Sequence, residues 1–192
     1  MSTLNVQAQR EQKARRARFA AFLGTTVEWY DFFIDSTAAA LAFGPVFFPD
    51  VEQGNALLLS FATFWAGFLA RPIGGIVFGH LGHIHGRKNT LVATLLIMGV
   101  ATLCIGLLPR ADVVGVWAPI LLVFFRALQG FAVGGEWGGA VLLASEAGDK
   151  SKAVRGGMFV QQGSPAGNIL ATAAFALAAL LPNEAFISWG WR

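Results

Sequence analysis

Three acidic residues, Glu28, Asp31 and Asp35, lie within the first long apolar stretch of the chain, which runs from about Phe19 to Phe48. A stretch of that length and composition is typical of a membrane span. A charged side chain at the centre of a spanning helix costs roughly 2.5–3.5 kcal/mol. The spacing i, i+3, i+7 places the three acids on one side of a helix, and that side must face protein or water. Carboxylates in such a position mark ion or proton pathways, so they indicate transport across a membrane.

Further charged and polar residues lie inside later apolar stretches: Arg71, Arg126, Gln129 and Glu136. At a rise of about 1.5 Å per residue, Arg71 and Glu28 come to similar depths in their helices. Gln129 and Glu136 are seven residues apart and share a helix face, with Arg126 beside Gln129. Two interpretations remain open, a structural ion-pair network and a coupling site whose carboxylates exchange a proton or a basic partner.

The elements that position these residues are predicted to be membrane-spanning helices. Hydrophobic residues make up 55% of the 192 residues, above the roughly 45–50% of soluble domains. The sequence predicts an all-α membrane protein with a basic tail at 1–18 and five spans of at least about 20 residues. The predicted spans are roughly 19–48, 56–79, 90–109, 115–145 and 157–181.

The distribution of charge predicts the orientation of these spans. Bases concentrate in the tail, in the loop containing Arg87 and Lys88, and in the loop 146–155, whereas the alternate loops are mainly acidic. The positive-inside rule then places the amino terminus in the cytoplasm of a multi-pass protein of the inner membrane. A basic tail could also bind nucleic acid, but its position directly before a span favours the membrane interpretation.

Glycines and one proline are placed where helices could approach closely or bend. Gly130, Gly134 and Gly138 form a small-residue ridge at i, i+4, i+8, which favours close helix packing. The segment 163–167, Gly-Ser-Pro-Ala-Gly, could serve as a hinge or as a packing surface, and the two interpretations are equally open.

Metal, disulfide and enzyme chemistry are not expected. His80, His83 and His85 are close in sequence, but no cysteine or further acid joins them in that loop. Cys104 is the single cysteine, so no disulfide framework is possible within the chain. No nucleophile–base constellation is present, and the sequence predicts no cofactor and no catalytic residues.

Several motifs together resemble the major facilitator superfamily. Residues 79–88, GHLGHIHGRK, resemble its loop signature G-x-L-a-D-R-x-G-R-K, and residues 126–130 resemble its R-x-x-Q-G motif. Glu146 with Arg155-Gly156 is similar to the E…R-G pairing of the next cytoplasmic loop. Four further segments resemble the metabolite:H⁺ symporter family, whose members include shikimate, α-ketoglutarate, citrate and proline/betaine carriers. These segments are EWYDF at 28–32, FLARP at 68–72, GGEWGG at 134–139 and SWGWR at 188–192.

The resemblance implies a major-facilitator-type helical bundle of which this chain represents about five of twelve helices, in the N-terminal half. It implies proton symport of a small metabolite, most simply an organic acid, with the bilayer, protons, the substrate and a C-terminal half as partners and no nucleic acid. The implied proton-coupling and cavity residues are Glu28, Asp31, Arg71, Arg126, Gln129 and Glu136. The implied cytoplasmic gate consists of Gly79, His83, Gly86, Arg87, Lys88, Glu146 and Arg155.

Two departures from the family pattern bear on these roles. His83 and Ile84 stand where the loop signature has an acid and a base, and Asp35-Ser36 stands where the family has Tyr-Gly. Three alternatives stay open: a truncated non-transporting remnant, a half-transporter partner, and an osmolyte carrier. A passive channel is less favoured because buried acids and bases indicate coupling to protons.

Overall fold

The structure, a computed structural model, describes residues 3–146 and 157–192, and the described part is helical without any strand. We number the five longest helices in chain order. They are α1 (Thr3–Ala38), α2 (Gln53–His85), α3 (Arg87–Leu107), α4 (Trp117–Glu146) and α5 (Gly163–Ala178). Short helical segments lie at Ala39–Phe43, Gly44–Phe47, Ala111–Val114, 157–161, Asn183–Ala185 and Phe186–Gly190. The predicted all-α fold is confirmed.

The first helix begins earlier and ends earlier than the predicted span. It runs without interruption from Thr3, so the predicted tail is helical from that residue onward. After Ala38 the helix widens into a π-helical turn over Ala39–Phe43. Pro45 follows two residues later, and because proline has no N–H it cannot donate the regular hydrogen bond of an α-helix. Phe48, with φ of −134°, precedes Pro49 and ends this helical region, as expected for a residue before proline.

The loop predicted at 79–88 is much shorter in the structure. Helix α2 continues through Gly79 and His83 to His85, and α3 begins at Arg87. The chain reverses at Gly86, whose φ of +85° is in the region that favours glycine. The remaining glycines of this segment stay helical, because glycine weakens a helix without preventing its hydrogen bonds.

Three helices are long and apolar enough to cross a membrane within the described part: Gln53–His85, Asn89–Leu107 and Trp117–Gly135. They overlap the second, third and fourth predicted spans. The first and fifth spans, and the division of the chain into a tail and five spans, stay predictions. The spanning helices also expose large apolar side chains, including Leu69 (69% exposed) and Ile76 (76% exposed), as faces in contact with lipid should.

The chain divides into two compact units, which we describe separately. The α1–α5 unit contains residues 3–35 and 157–177 of the described chain, and the α2–α4 unit contains Ser36–Glu146 and Ala178–Arg192. In the α2–α4 unit, helix α4 packs against both α2 and α3. Part of this packing is a small apolar cluster in which Met98 meets Ala132 and Val133.

Glycines determine how closely the helices of the α1–α5 unit approach. Gly163 and Gly167 are on α5, and an added Cβ at Gly167 would come within 2.6 Å of the Tyr30 nitrogen and 2.7 Å of the Thr26 carbonyl oxygen. Pro165 lies in the first turn of α5, after a break at Gln162. A proline in a first turn removes no helical hydrogen bond, so this segment begins a helix and packs on α1.

Candidate functional site

A chain of hydrogen bonds joins α4 to α3 inside the α2–α4 unit. The Nη1 of Arg126 donates to the Oε1 of Gln129 at 3.2 Å, and both side chains are buried, at 4% and 5% exposed. The Nε2 of Gln129 donates to the hydroxyl of Thr102 at 2.8 Å. The Thr102 hydroxyl in turn donates to the carbonyl of Met98 at 3.0 Å. A cation is thus held among apolar helices by ordered polar partners, as burial of a charge requires.

Two aromatic rings also lie beside Arg126. Its guanidinium carbon lies 4.5 Å from the ring centre of Phe64 on α2 and 5.2 Å from that of Phe43. A cation over an aromatic face is attracted by the ring quadrupole, and the attraction is larger when the cation is shielded from water. Arg126 is therefore held by groups from α2, α3, α4 and the turn after α1.

Phe43 also connects this arrangement to the last residues of the chain. Trp191 is buried at 7% exposed, with its ring 5.8 Å from Phe43 and 5.9 Å from Phe47. The Nη2 of Arg192 donates to the carbonyl of Leu108 at 3.2 Å. The segment SWGWR, which the sequence marks as a motif, packs against the same aromatic group that supports Arg126.

Backbone contacts between glycines bring α2 and α4 close to this site. A Cβ added at Gly130 would overlap the carbonyl of Gly67, and one added at Gly134 would overlap the carbonyl of Arg71. A Cβ added at Gly67 would lie 3.0 Å from the Arg126 carbonyl oxygen. Gly130 and Gly134 thus act as packing residues, in agreement with the predicted ridge. Gly138 belongs to the same helix, but the structure does not describe its surroundings.

Arg71 is half-buried on α2, and its guanidinium carbon lies 4.4 Å from the ring centre of Phe68. Phe64, Gly67, Phe68 and Arg71 follow the spacing of one helix face. Gly67 shows that this face is turned towards α4, because it meets the Arg126 carbonyl. Two of the predicted bases are therefore on helices that pack together.

The acids of α1 belong to the α1–α5 unit. Glu28 and Asp31 are half-buried and Asp35 is buried at 6% exposed, all on one continuous helix, so their predicted common face is maintained. Next to them, Trp29 packs on Phe32 and Phe33 with ring centres 5.7 and 5.5 Å apart. The predicted pairing of Glu28 and Asp31 with Arg71 and Arg126 joins residues of two units and stays a prediction.

The predicted gate residues are described to different extents. Gly79 and His83 lie in α2, His83 is exposed, and Gly86 forms the turn. Arg87 and Lys88 begin α3, Glu136 lies within α4, and Glu146 ends α4. The structure does not describe the side chains of these four residues. Arg155 lies outside the described residues. Among described residues, no group of three or more histidine, cysteine or acidic side chains could hold a metal ion.

Thr102, Phe43 and Phe64 are site residues that sequence reasoning missed, whereas Trp191 lies in the SWGWR motif that the sequence marks. Thr102 is a single hydroxyl within an apolar helix, a weak signal that is equally typical of a threonine bonded to its own helix. Phe43 and Phe64 carry no signal beyond hydrophobicity, since 12% of the chain is aromatic.

Long apolar helices around a buried cation define a multi-pass membrane protein with a polar site in its interior. The comparisons then give the family. The family described as "Sugar (and other) transporter" matches residues 17–192, and the chain belongs to that family. Its members are transporters and not enzymes, and the sequence likewise predicts no catalytic residues.

Curated relatives agree with this assignment. The chain is 49% identical over 181 residues to the shikimate transporter of Escherichia coli (strain K12), covering 94% of this chain and 41% of the relative. It is also 49% identical to the inner membrane metabolite transport protein YhjE of the same organism, over 90% of this chain and 40% of the relative. The proline/betaine transporter of that organism is 42% identical over 94% of this chain and 36% of the relative.

The chain thus spans about two fifths of the length of these relatives. No solved structure gives a significant match to it.

Proposed function

We propose that this chain supplies part of a proton-coupled carrier that moves a small organic acid across the cytoplasmic membrane. The observation that carries the proposal is Arg126, which is 4% exposed and held by Gln129 and two aromatic rings. Electrostatic attraction is stronger in the low-dielectric interior than in water, so a cation at this depth would favour a carboxylate substrate. The 49% identity to a protein named shikimate transporter supports the same chemical class.

Proton coupling is proposed for the acids on α1. Glu28 and Asp31 share a helix face and are half-buried. Protonation would remove the charge of either acid, and so change its attraction to a base or to an anionic substrate. Arg71, Arg126 and Glu136 complete the proposed coupling and cavity set with Gln129.

The remaining proposals concern orientation and completeness. The basic tail and basic loops favour a cytoplasmic amino terminus in a multi-pass inner-membrane protein. Gly79, His83, Gly86, Arg87, Lys88, Glu146 and Arg155 are proposed as the cytoplasmic gate. A second half of the carrier would complete the substrate site, as midplane sites of such carriers lie between repeats.

An osmolyte carrier is the second candidate. It is favoured by the 42% identity to the proline/betaine transporter. Betaine carries a carboxylate and a quaternary ammonium group, so it could use both a buried arginine and aromatic rings.

The test is uptake of labelled shikimate, α-ketoglutarate and betaine by cells that express the intact gene, with and without a protonophore. Arg126→Gln should reduce uptake about 100-fold, since one partner of a buried charged interaction is removed. Arg126→Lys should retain part of it with a raised KM. Arg110→Gln is the control, because Arg110 is paired with Asp112 near the surface at 3.4 Å and 35% exposed.

Asp31→Asn tests the coupling separately from binding. We expect it to abolish accumulation against a gradient while exchange of substrate persists, whereas Asp50→Asn, at an exposed loop position, should leave accumulation unchanged. Undiminished proton-driven accumulation in Asp31→Asn would reject this role. If no organic acid or osmolyte is taken up, and the gene ends at Arg192, the remnant or half-transporter interpretation replaces the carrier.

A further inference from the structure

A cleft of about 830 Å³ lies in the α1–α5 unit at the amino-terminal part of α1. The described residues that line it are Gln12, Arg15, Arg16, Arg18, Phe19 and Phe159. Its volume is within the range of about 300–1,000 Å³ that small-molecule sites occupy. No substrate, coupling or gate role proposed above uses these residues.

One part of the cleft is strongly basic. Three of the described lining residues are arginines, they lie within four positions of one helix, and none of the described lining residues is acidic. A guanidinium group is planar and presents paired N–H donors that match the oxygens of a phosphate. The three arginines therefore form a suitable site for a phosphate group.

The other part of the cleft is aromatic. Phe22 lies behind the lining residues Phe19 and Phe159, with ring centres 6.3 Å from Phe19 and 5.2 Å from Phe159. Phe19 and Phe159 remain 54% and 45% exposed. A free inorganic anion would gain nothing from these exposed rings, whereas a ligand with a phosphate and an apolar part would contact both sides of the cleft.

The position of the cleft along α1 indicates the source of such a ligand. Arg18 is the last base of the tail, and Phe19 begins the long apolar stretch. In a helix that enters the bilayer, this junction lies at the level of the lipid headgroups, where anionic lipids attract basic residues.

We propose that this cleft binds the headgroup of an anionic phospholipid. The phosphate lies against Arg15, Arg16 and Arg18, and the glycerol and first acyl carbons lie along Phe19 and Phe159. The inference rests on the membrane location of the family and on the predicted first span, and it does not depend on which substrate is transported.

The test measures binding of short-chain phosphatidylglycerol to the purified protein in neutral detergent, by native mass spectrometry. Each lysine or arginine near an anionic lipid surface contributes about 1 kcal/mol, or about a fivefold change in affinity. Arg15→Gln/Arg18→Gln should therefore weaken binding about 25-fold, and Arg110→Gln, distant in sequence from the cleft, should leave it unchanged.

Two further variants separate a built site from diffuse attraction. Arg15→Lys/Arg18→Lys keeps the charge but removes the planar donors, so it should still weaken binding several-fold. Phe159→Ala should weaken phosphatidylglycerol binding and leave any binding of inorganic phosphate unchanged. Circular dichroism and elution volume confirm that each variant is folded.

Three results would overturn the proposal. One is equal affinity of the unaltered protein and Arg15→Lys/Arg18→Lys, together with no effect of Phe159→Ala. That result indicates diffuse attraction. Another is full displacement of the lipid by millimolar inorganic phosphate, which indicates a site for a free anion. The third is tighter binding of an RNA oligonucleotide than of phosphatidylglycerol, which indicates a nucleic-acid surface.

Discussion

The two units of the chain use glycine differently to bring helices together. In the α2–α4 unit, glycines on both helices meet the partner backbone, as at Gly67 and Gly130. In the α1–α5 unit, the close contacts come from α5 alone, where Gly163 and Gly167 meet larger residues of α1. Two-sided contact brings the α2 and α4 backbones together without an intervening side chain, and the buried arginine is in that unit.

A buried cation requires close support from several helices. Arg126 is supported by residues of three long helices, and such an arrangement is possible only where those helices approach closely. Of the acids of α1, Glu28 and Asp31 are half-buried and Asp35 is buried, and all three lie along a single helix. We expect the α2–α4 unit to tolerate changes at its helix contact less well than the α1–α5 unit, and the following variants test this.

The largest effect is expected for Gly130→Ala in the α2–α4 unit. The new Cβ would overlap the Gly67 backbone, which cannot move aside as a side chain could, so the helices must separate. We expect a loss of about 3 kcal/mol in the free energy of unfolding, measured by titrating the purified protein in mild detergent with a denaturing detergent. Gly99→Ala on α3 is the control, because no atom lies within 4 Å of its added Cβ. Equal stability of the two variants would contradict the packing described for α2 and α4.

A smaller effect is expected for Gly167→Ala in the α1–α5 unit. Its added Cβ would lie 2.6 Å from the Tyr30 nitrogen and 2.9 Å from the Cβ of Trp29, which a modest shift of one helix can relieve. The expected loss in the same titration is about 1–2 kcal/mol. Gly24→Ala on α1 serves as the control, since its added Cβ meets nothing within 4 Å. A loss larger than that of Gly130→Ala would reverse the proposed order of the two units.

The smallest effect is expected for Thr102→Val. This change keeps the shape of the side chain but removes the acceptor for the Gln129 amide, leaving a buried donor unsatisfied at a cost of about 1 kcal/mol or slightly more. Thr172→Val in the α1–α5 unit is the matched control, because Thr172 bonds to Asn168 within its own helix at an exposed position. Equal losses of stability in the two variants would contradict a stabilising role for the Gln129–Thr102 hydrogen bond between α3 and α4.

Much of the fold could be predicted from hydrophobic pattern and charge. Apolar stretches of spanning length indicated the regions now occupied by α2, α3 and α4. Their ends were less predictable, as Gly79 and His83 show. Both lie in the segment predicted as a loop, yet α2 passes through them to His85. Within this segment only Gly86 has a positive φ, which an α-helix cannot include.

The candidate site was predictable only in its local part. Arg126 and Gln129 are three residues apart, so any helix places them side by side, and their hydrogen bond follows from that spacing. Thr102 is 27 residues from Gln129 in sequence, and no period relates the two positions. In the sequence, nothing distinguishes Phe43 and Phe64 from the other 15 of the chain's 17 phenylalanines.

The amino-acid sequence is enough to establish that the chain is helical and apolar, that Glu28, Asp31 and Asp35 share a helix face, and that the chain belongs to a transporter family. These properties depend on period, composition and motif, which are local. Helix packing sets which glycines meet, which rings lie over Arg126, and that Thr102 accepts a hydrogen bond from Gln129. Those contacts depend on where two helices cross and on their relative rotation, and only the packing of the whole unit fixes both.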